Sequence, residues 1–124
     1  MDLNYFKKTR ILDGGMGQEL LARGLVTKGT LWSATSLIEE NYNNLVVDTH
    51  LSSIEAGAEV ILTNTFTTRR VRMDQNQVGH LFNFANKKAC ELAIKAKELS
   101  KKNILIAGSL PAQNDTYEVD KRDK

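Results

Sequence analysis

The chain has 124 residues, 41% of them hydrophobic and 26% charged, with a formal net charge of +2, the balance of one ordinary soluble domain with room for a core. So small a charge leaves no electrostatic footprint for nucleic acid, and no apolar stretch reaches the length of a membrane span, so neither partner is expected. A lone cysteine excludes an intrachain disulfide and a multi-cysteine metal site within one copy, and without a signal-peptide core a cytoplasmic, reducing setting is expected.

In chain order, the first informative segment is Ile11-Leu12-Asp13-Gly14-Gly15-Met16-Gly17. An apolar run that ends at a carboxylate and breaks into a Gly-Gly turn predicts a strand delivering Asp13 to its C-terminal end, where α/β enzymes keep their binding groups. The glycines allow a ligand to approach the backbone closely. Gly17 to Arg23 predicts a short helix stopped by Gly24, followed by a polar stretch through Thr30, Trp32 and Ser33. A longer helix is predicted from Glu39 to Ala56. Val47, Leu51, Ile54 and Ala58 recur there at helical spacing, with Glu40, Asn44, Asp48 and Glu55 on the other side. Gly57 stops it. Val60 to Thr63, apolar without alternation, reads as a strand covered on both faces, with Asn64 and Thr65 at its exit.

A polar loop from Thr67 to Gln77 then leads to a second long helix. Its stripe is Leu81, Phe84, Ala85, Ala89, Leu92, Ala93, Ala96 and Leu99, and Asn103 breaks the chain before a third strand. That strand, Ile104 to Ala107, exits at Gly108 and Ser109. The order β-α-β-α-β with short returns predicts a parallel α/β sheet whose longer loops, carrying Trp32, Phe66, Arg69, Arg70 and Tyr117, lie at the strand C-terminal ends. No internal repeat or domain boundary is evident.

Singly, most of these residues have ordinary structural readings. Cys90 reads as a small buried residue of a helix rather than a reactive thiol. His50 and His80 lack a metal-spaced partner and read as structural. The pairs Lys87-Lys88 and Lys101-Lys102 read as solvated helix surface, and Asp120-Lys121-Arg122-Asp123-Lys124 as a solvated tail. The Gly-Gly-x-Gly turn alone is turn chemistry, since neither a Walker lysine pattern nor a full dinucleotide fingerprint accompanies it.

In order, however, LDGGMGQELLARG, LWSATSLIEEN, AGAEVILTNTF and IAGSLPAQNDTY closely resemble the N-terminal part of the homocysteine S-methyltransferase family, from about Arg10 to Tyr117. The resemblance implies a partial (β/α)8 TIM barrel of about three β/α units. The implied activity is methyl transfer to the thiol of homocysteine, giving methionine. It further implies a zinc ion held by three cysteine thiolates, which keeps the homocysteine sulfur ionised; a free thiol is mostly protonated at neutral pH. Those cysteines belong to the later half of the family's barrel, and Cys90 matches none of them. The resemblance assigns Asp13 to the substrate ammonium and the amides around Gly14 and Gly15 to its carboxylate. Trp32 falls to the cationic methyl donor, and Asn64, Thr65, Gly108 and Ser109 to the pocket wall. Thr30 stands where the family often has proline.

Residues 1–124 are thus expected to be the N-terminal portion of a homocysteine-binding barrel, truncated before its zinc ligands and inactive alone. A second polypeptide or self-association would complete it. The alternative is a non-catalytic small-molecule-binding or assembly module derived from that barrel. The methyl donor stays open among S-methylmethionine, S-adenosylmethionine, betaine and a methylated folate.

Overall fold

The computed structural model describes residues 2–112; Tyr117 and the charged run from Asp120 to Lys124 lie outside them. Two parallel strands, β1 (Val60–Leu62) and β2 (Leu105–Ala107), pair with Val60 opposite Leu105 and Leu62 opposite Ala107. The predicted first strand differs from expectation: Leu12 makes a single parallel bridge to Val60. The physical reason lies in Glu59. Its carboxylate accepts the Ile11 N–H at 3.0 Å and pairs with Arg10 at 3.0 Å. A side chain thus occupies the place of a ladder bond. The segment still lies along β1, because the Ile11 carbonyl accepts the Glu59 N–H at 2.8 Å and the Asp13 N–H donates to the Val60 carbonyl at 3.1 Å. The spatial order is therefore the Arg10–Asp13 segment, then β1, then β2.

Among the described residues five α-helices accompany the strands: α1 (Met16–Ala22), α2 (Thr35–Ile38), α3 (Asn43–Glu55), α4 (Arg70–Gln75) and α5 (Phe82–Ser100). The predicted Glu39 to Ala56 helix begins as a 3-10 turn, Glu40–Tyr42, before becoming α3. Two stops named from sequence carry positive φ, +103° at Gly24 and +112° at Gly57, where a side chain would be strained. Each closes a Schellman motif. Leu25 and Gly24 donate to the carbonyls of Leu20 and Leu21, and Ala58 and Gly57 to those of Ser53 and Ile54. These closures return the chain directly toward its next element, which is why the αβ connection into β1 is so short. The expected loop from Thr67 to Gln77 contains α4, and α2 falls where no helix is predicted.

The core is built from Leu20, Leu37, Val46, Ile54, Ile61 and Met73 together with an alanine ridge on α5, formed by Ala85, Ala89, Ala93 and Ala96. Small side chains let α5 come close to α3, its main packing partner. The ridge is narrower than the predicted stripe: Phe84 is 49% and Leu99 56% exposed. Lys87 and Lys88 flank Glu91 at 3.9 and 3.4 Å on the solvent side, as expected of a solvated face.

Cys90 corrects another expectation, since it is exposed rather than buried. It follows Ala89 on α5, one position round from the ridge, and so faces away from the core. The folded chain should therefore release one equivalent of chromophore from a disulfide thiol reagent about as fast as the chain in denaturant. A reaction slowed by folding would contradict this placement.

Candidate functional site

The three chain segments that run side by side end at one cleft of about 510 Å³. Six of the eight residues singled out from sequence line it: Asp13, Gly14, Gly15, Trp32, Asn64 and Ser109. Two do not. Thr65 faces a neighbouring hollow of about 170 Å³. Gly108 is exposed, with nothing within 4 Å of where a side chain would begin. The cleft also takes Met16, Gly17, Ser33, Thr63 and Phe66, none of which the sequence reading assigned to a pocket. Met16 and Gly17 follow the Gly-Gly turn in the chain, a proximity that could have marked them.

Asp13 is the only ionisable side chain among the described residues of this cleft. Its carboxylate accepts the Leu62 N–H at 2.9 Å, continuing by side chain the pairing that Leu12 begins by backbone. Burial pushes the carboxyl above its ordinary range, opposed by the hydrogen bond from Leu62. A negative charge held partly out of water favours a cation as its partner. The same turn also borders a hollow of about 200 Å³ toward α3, lined by Thr49, Ser52 and Ser53. Of these two cavities, Trp32 and Asn64 line the larger.

Neither Gly14 nor Gly15 needs a left-handed backbone. A side chain added at either would begin in open space. What the two glycines provide is therefore room over the backbone next to Asp13. Gly15 is also the N-cap of α1 and offers no side-chain cap, so the first-turn N–H groups keep their polarity for other acceptors.

Another wall of the cleft is polar and internally hydrogen-bonded. Asn64 is 3% exposed. Its amide nitrogen donates to the Ser33 carbonyl at 3.2 Å and to the Ser36 hydroxyl at 3.0 Å. The exits of β1 and β2 are stitched in the same way. The Ser109 N–H donates to the Thr63 hydroxyl at 3.2 Å, and the Thr65 hydroxyl donates to the Ser109 carbonyl at 2.7 Å. Thr65 thus holds a wall residue although it does not line the cleft.

Among the described residues no group of three or more His, Cys, Asp or Glu could hold a metal ion. Cys90 lies on the outside of α5, and His50 is fully buried in α3. The donors present among the described residues do not fit a zinc site. Among them, too, no helix is long and apolar enough to cross a membrane.

Comparison with known proteins shows what this chain is similar to. The pattern of the family described as homocysteine S-methyltransferase matches residues 10–124. Homocysteine S-methyltransferase of Escherichia coli K12 is 32% identical over 111 residues, which cover 81% of this chain and 34% of that protein. Homocysteine S-methyltransferase 2 of Saccharomyces cerevisiae is 31% identical over 78 residues, covering 56% of this chain and 24% of its own. The crystal structure of the homocysteine methyltransferase MmuM from Escherichia coli, in its metallated form, superposes with a TM-score of 0.73 at 30% identity. That superposition covers 88% of this chain and 40% of the other. The chain spans well under half the length of each.

Proposed function

Because the chain belongs to the homocysteine S-methyltransferase family, we propose that its cleft is the amine-binding half of a pocket in which a methyl group passes to the thiol of homocysteine. The observation that supports this is the gathering of residues from three segment ends around one carboxylate. Asp13 pairs with the substrate ammonium, and the amides around Gly14 and Gly15 take its carboxylate. Trp32 offers an aromatic face to the cationic methyl of the donor. Asn64 and Ser109 form the wall, while Thr65 and Gly108 shape the loops behind it.

In this reading residues 1–124 are the first part of a (β/α)8 barrel, and about 250 residues make such a barrel complete. Ile11 and Leu12, 59% and 57% exposed, and the half-buried β2 are surfaces that a further part, in the same or another polypeptide, would cover. Homocysteine and a methyl donor are the ligands.

The test is a chimera joining this chain to the later region of the Escherichia coli relative that its match does not reach. Homocysteine-dependent formation of methionine is expected with one of S-methylmethionine, S-adenosylmethionine, betaine or a methylated folate as donor. A folded, metal-loaded chimera that fails to bind homocysteine would overturn the reading and favour a non-catalytic module.

A further inference from the structure

We propose that Gly17 and Thr67 are positioning residues that together fix the indole of Trp32 in the cleft, an inference that rests on reading the cleft as the methyl-transfer pocket. Trp32 has φ +48°, a left-handed conformation that a bulky side chain rarely adopts and keeps only where its surroundings dictate it. The indole N–H is buried and makes no hydrogen bond. Packing and the neighbouring backbone therefore set where the ring lies.

The backbone is held from one side. The Thr67 hydroxyl lies 3.0 Å from the Ser33 hydroxyl and accepts the Ala34 N–H at 3.0 Å. These are the two residues that follow Trp32, and Ser33, Ala34 and Thr67 are all buried. The link ties the left-handed turn to the exit of β1. Asn64 and Ser36 add their hydrogen bonds to the Ser33 carbonyl, at 3.2 and 2.6 Å.

The ring is held from the other side by the absence of a side chain. A Cβ built on Gly17 would lie 2.9 Å from both Cε2 and Cζ2 of Trp32, and 3.3 Å from its Nε1. Such a contact is inside van der Waals distance, so any side chain at residue 17 must displace the ring or the turn. The third glycine of the Gly-Gly-Met-Gly run is thus the floor on which the indole rests.

Trp32 is the sole tryptophan, so the intrinsic fluorescence of this chain reports on one ring. The variants are Gly17→Ala, Thr67→Val and, as the conservative control, Thr67→Ser. Alanine suits the first turn of α1 better than glycine, which offsets part of the cost of displacing the ring, and a thermal melt checks that Gly17→Ala stays folded. Emission is expected to move to longer wavelength and to become more quenchable by acrylamide in Gly17→Ala and Thr67→Val. Thr67→Ser should restore the parent spectrum. Titration with S-methylmethionine should quench Trp32 in the parent, and the two displaced variants should bind it about fivefold to thirtyfold more weakly, the worth of one desolvated cation–aromatic contact.

A parent-like spectrum, quenching and titration in Gly17→Ala would overturn the inference, as would a Thr67→Ser variant that behaves like Thr67→Val. Should S-methylmethionine leave parental Trp32 unmoved while Gly17→Ala still displaces the ring, the positioning holds. What then fails is S-methylmethionine as the cationic donor that meets Trp32.

Discussion

Asp13→Asn is expected to raise the homocysteine requirement of the barrel-completed chimera about tenfold to a hundredfold, the worth of one charge-assisted hydrogen bond. Its melting temperature should hold steady or rise slightly. Asparagine keeps an oxygen that can accept the Leu62 N–H now held at 2.9 Å, so the pairing of the first segment with β1 survives. The direction of the stability change follows from burial, which raises the Asp13 carboxyl above its ordinary 3.8. A folded-state pKa above the unfolded one means that the ionised form carries a cost in the fold. That cost is present above the folded pKa and is relieved as pH falls toward 3.8. Neutral asparagine escapes it. Asp13→Ala behaves differently: it leaves the Leu62 N–H without its acceptor and should cost about 1–3 kcal/mol of stability. A thermal melt of the two variants separates the structural bond from the charge.

Acid should destabilise the chain chiefly through His50. This imidazole is fully buried on α3, and neither ring nitrogen has a hydrogen-bond partner. Burial holds its pKa at about 4, down from 6.5. The unfolded chain therefore takes up a proton first, so the neutral fold is at full strength above pH 6.5 and loses stability as pH falls toward about 4. Over that window the loss amounts to about 3 kcal/mol. Asp13 acts in the opposite sense, but its window lies closer to 3.8. Replacing His50 with leucine, of similar volume, removes both the titration and two unpaired polar atoms. His50→Leu should melt higher than the parent at neutral pH and flatten the pH profile between 6.5 and 4. An unchanged acid slope in His50→Leu would place the sensitivity elsewhere.

Much of this fold was legible because its boundaries are chemical. Gly24 and Gly57 could be named as stops since only the left-handed closure makes a glycine useful there, and the carboxylate before Gly14-Gly15 marked the segment end that lines the cleft. The shortfalls also have causes. The first strand was overestimated because apolar residues 11 and 12 read as a ladder, whereas the Glu59 side chain takes the bond that would have extended it. Helix α4 was hidden by its composition: Arg70, Arg72, Asp74 and Gln75 read as a loop, and only Met73 is buried. Cys90, Phe84 and Leu99 are apolar by type but lie outside an alanine ridge whose width periodicity does not state.

The site was half legible for a related reason. Residues at segment ends can be located from sequence, so Asp13, Asn64 and Ser109 were found. Which side each end faces depends on loop hydrogen bonds between distant residues: the Thr65 hydroxyl donates to the Ser109 carbonyl, and Thr65 lies beside the cleft in a neighbouring hollow. Thr67 and Ser33 were missed as partners because two buried hydroxyls satisfying each other leave no periodic trace. Gly17 was read as a helix start, although its role is defined by a tryptophan fifteen positions away.

Asp13 is expected to meet the ammonium of homocysteine. A double-mutant cycle between protein and ligand tests it directly, using the chimera and its Asp13→Asn variant with homocysteine and with 4-mercaptobutyrate, the same thiol acid without the amine. Parental Asp13 is expected to prefer homocysteine by about tenfold to a hundredfold, and Asp13→Asn to erase that preference while binding 4-mercaptobutyrate nearly as before. An equal loss for both ligands, with the preference intact, would contradict it and leave Asp13 as the residue that ties the first segment to Leu62.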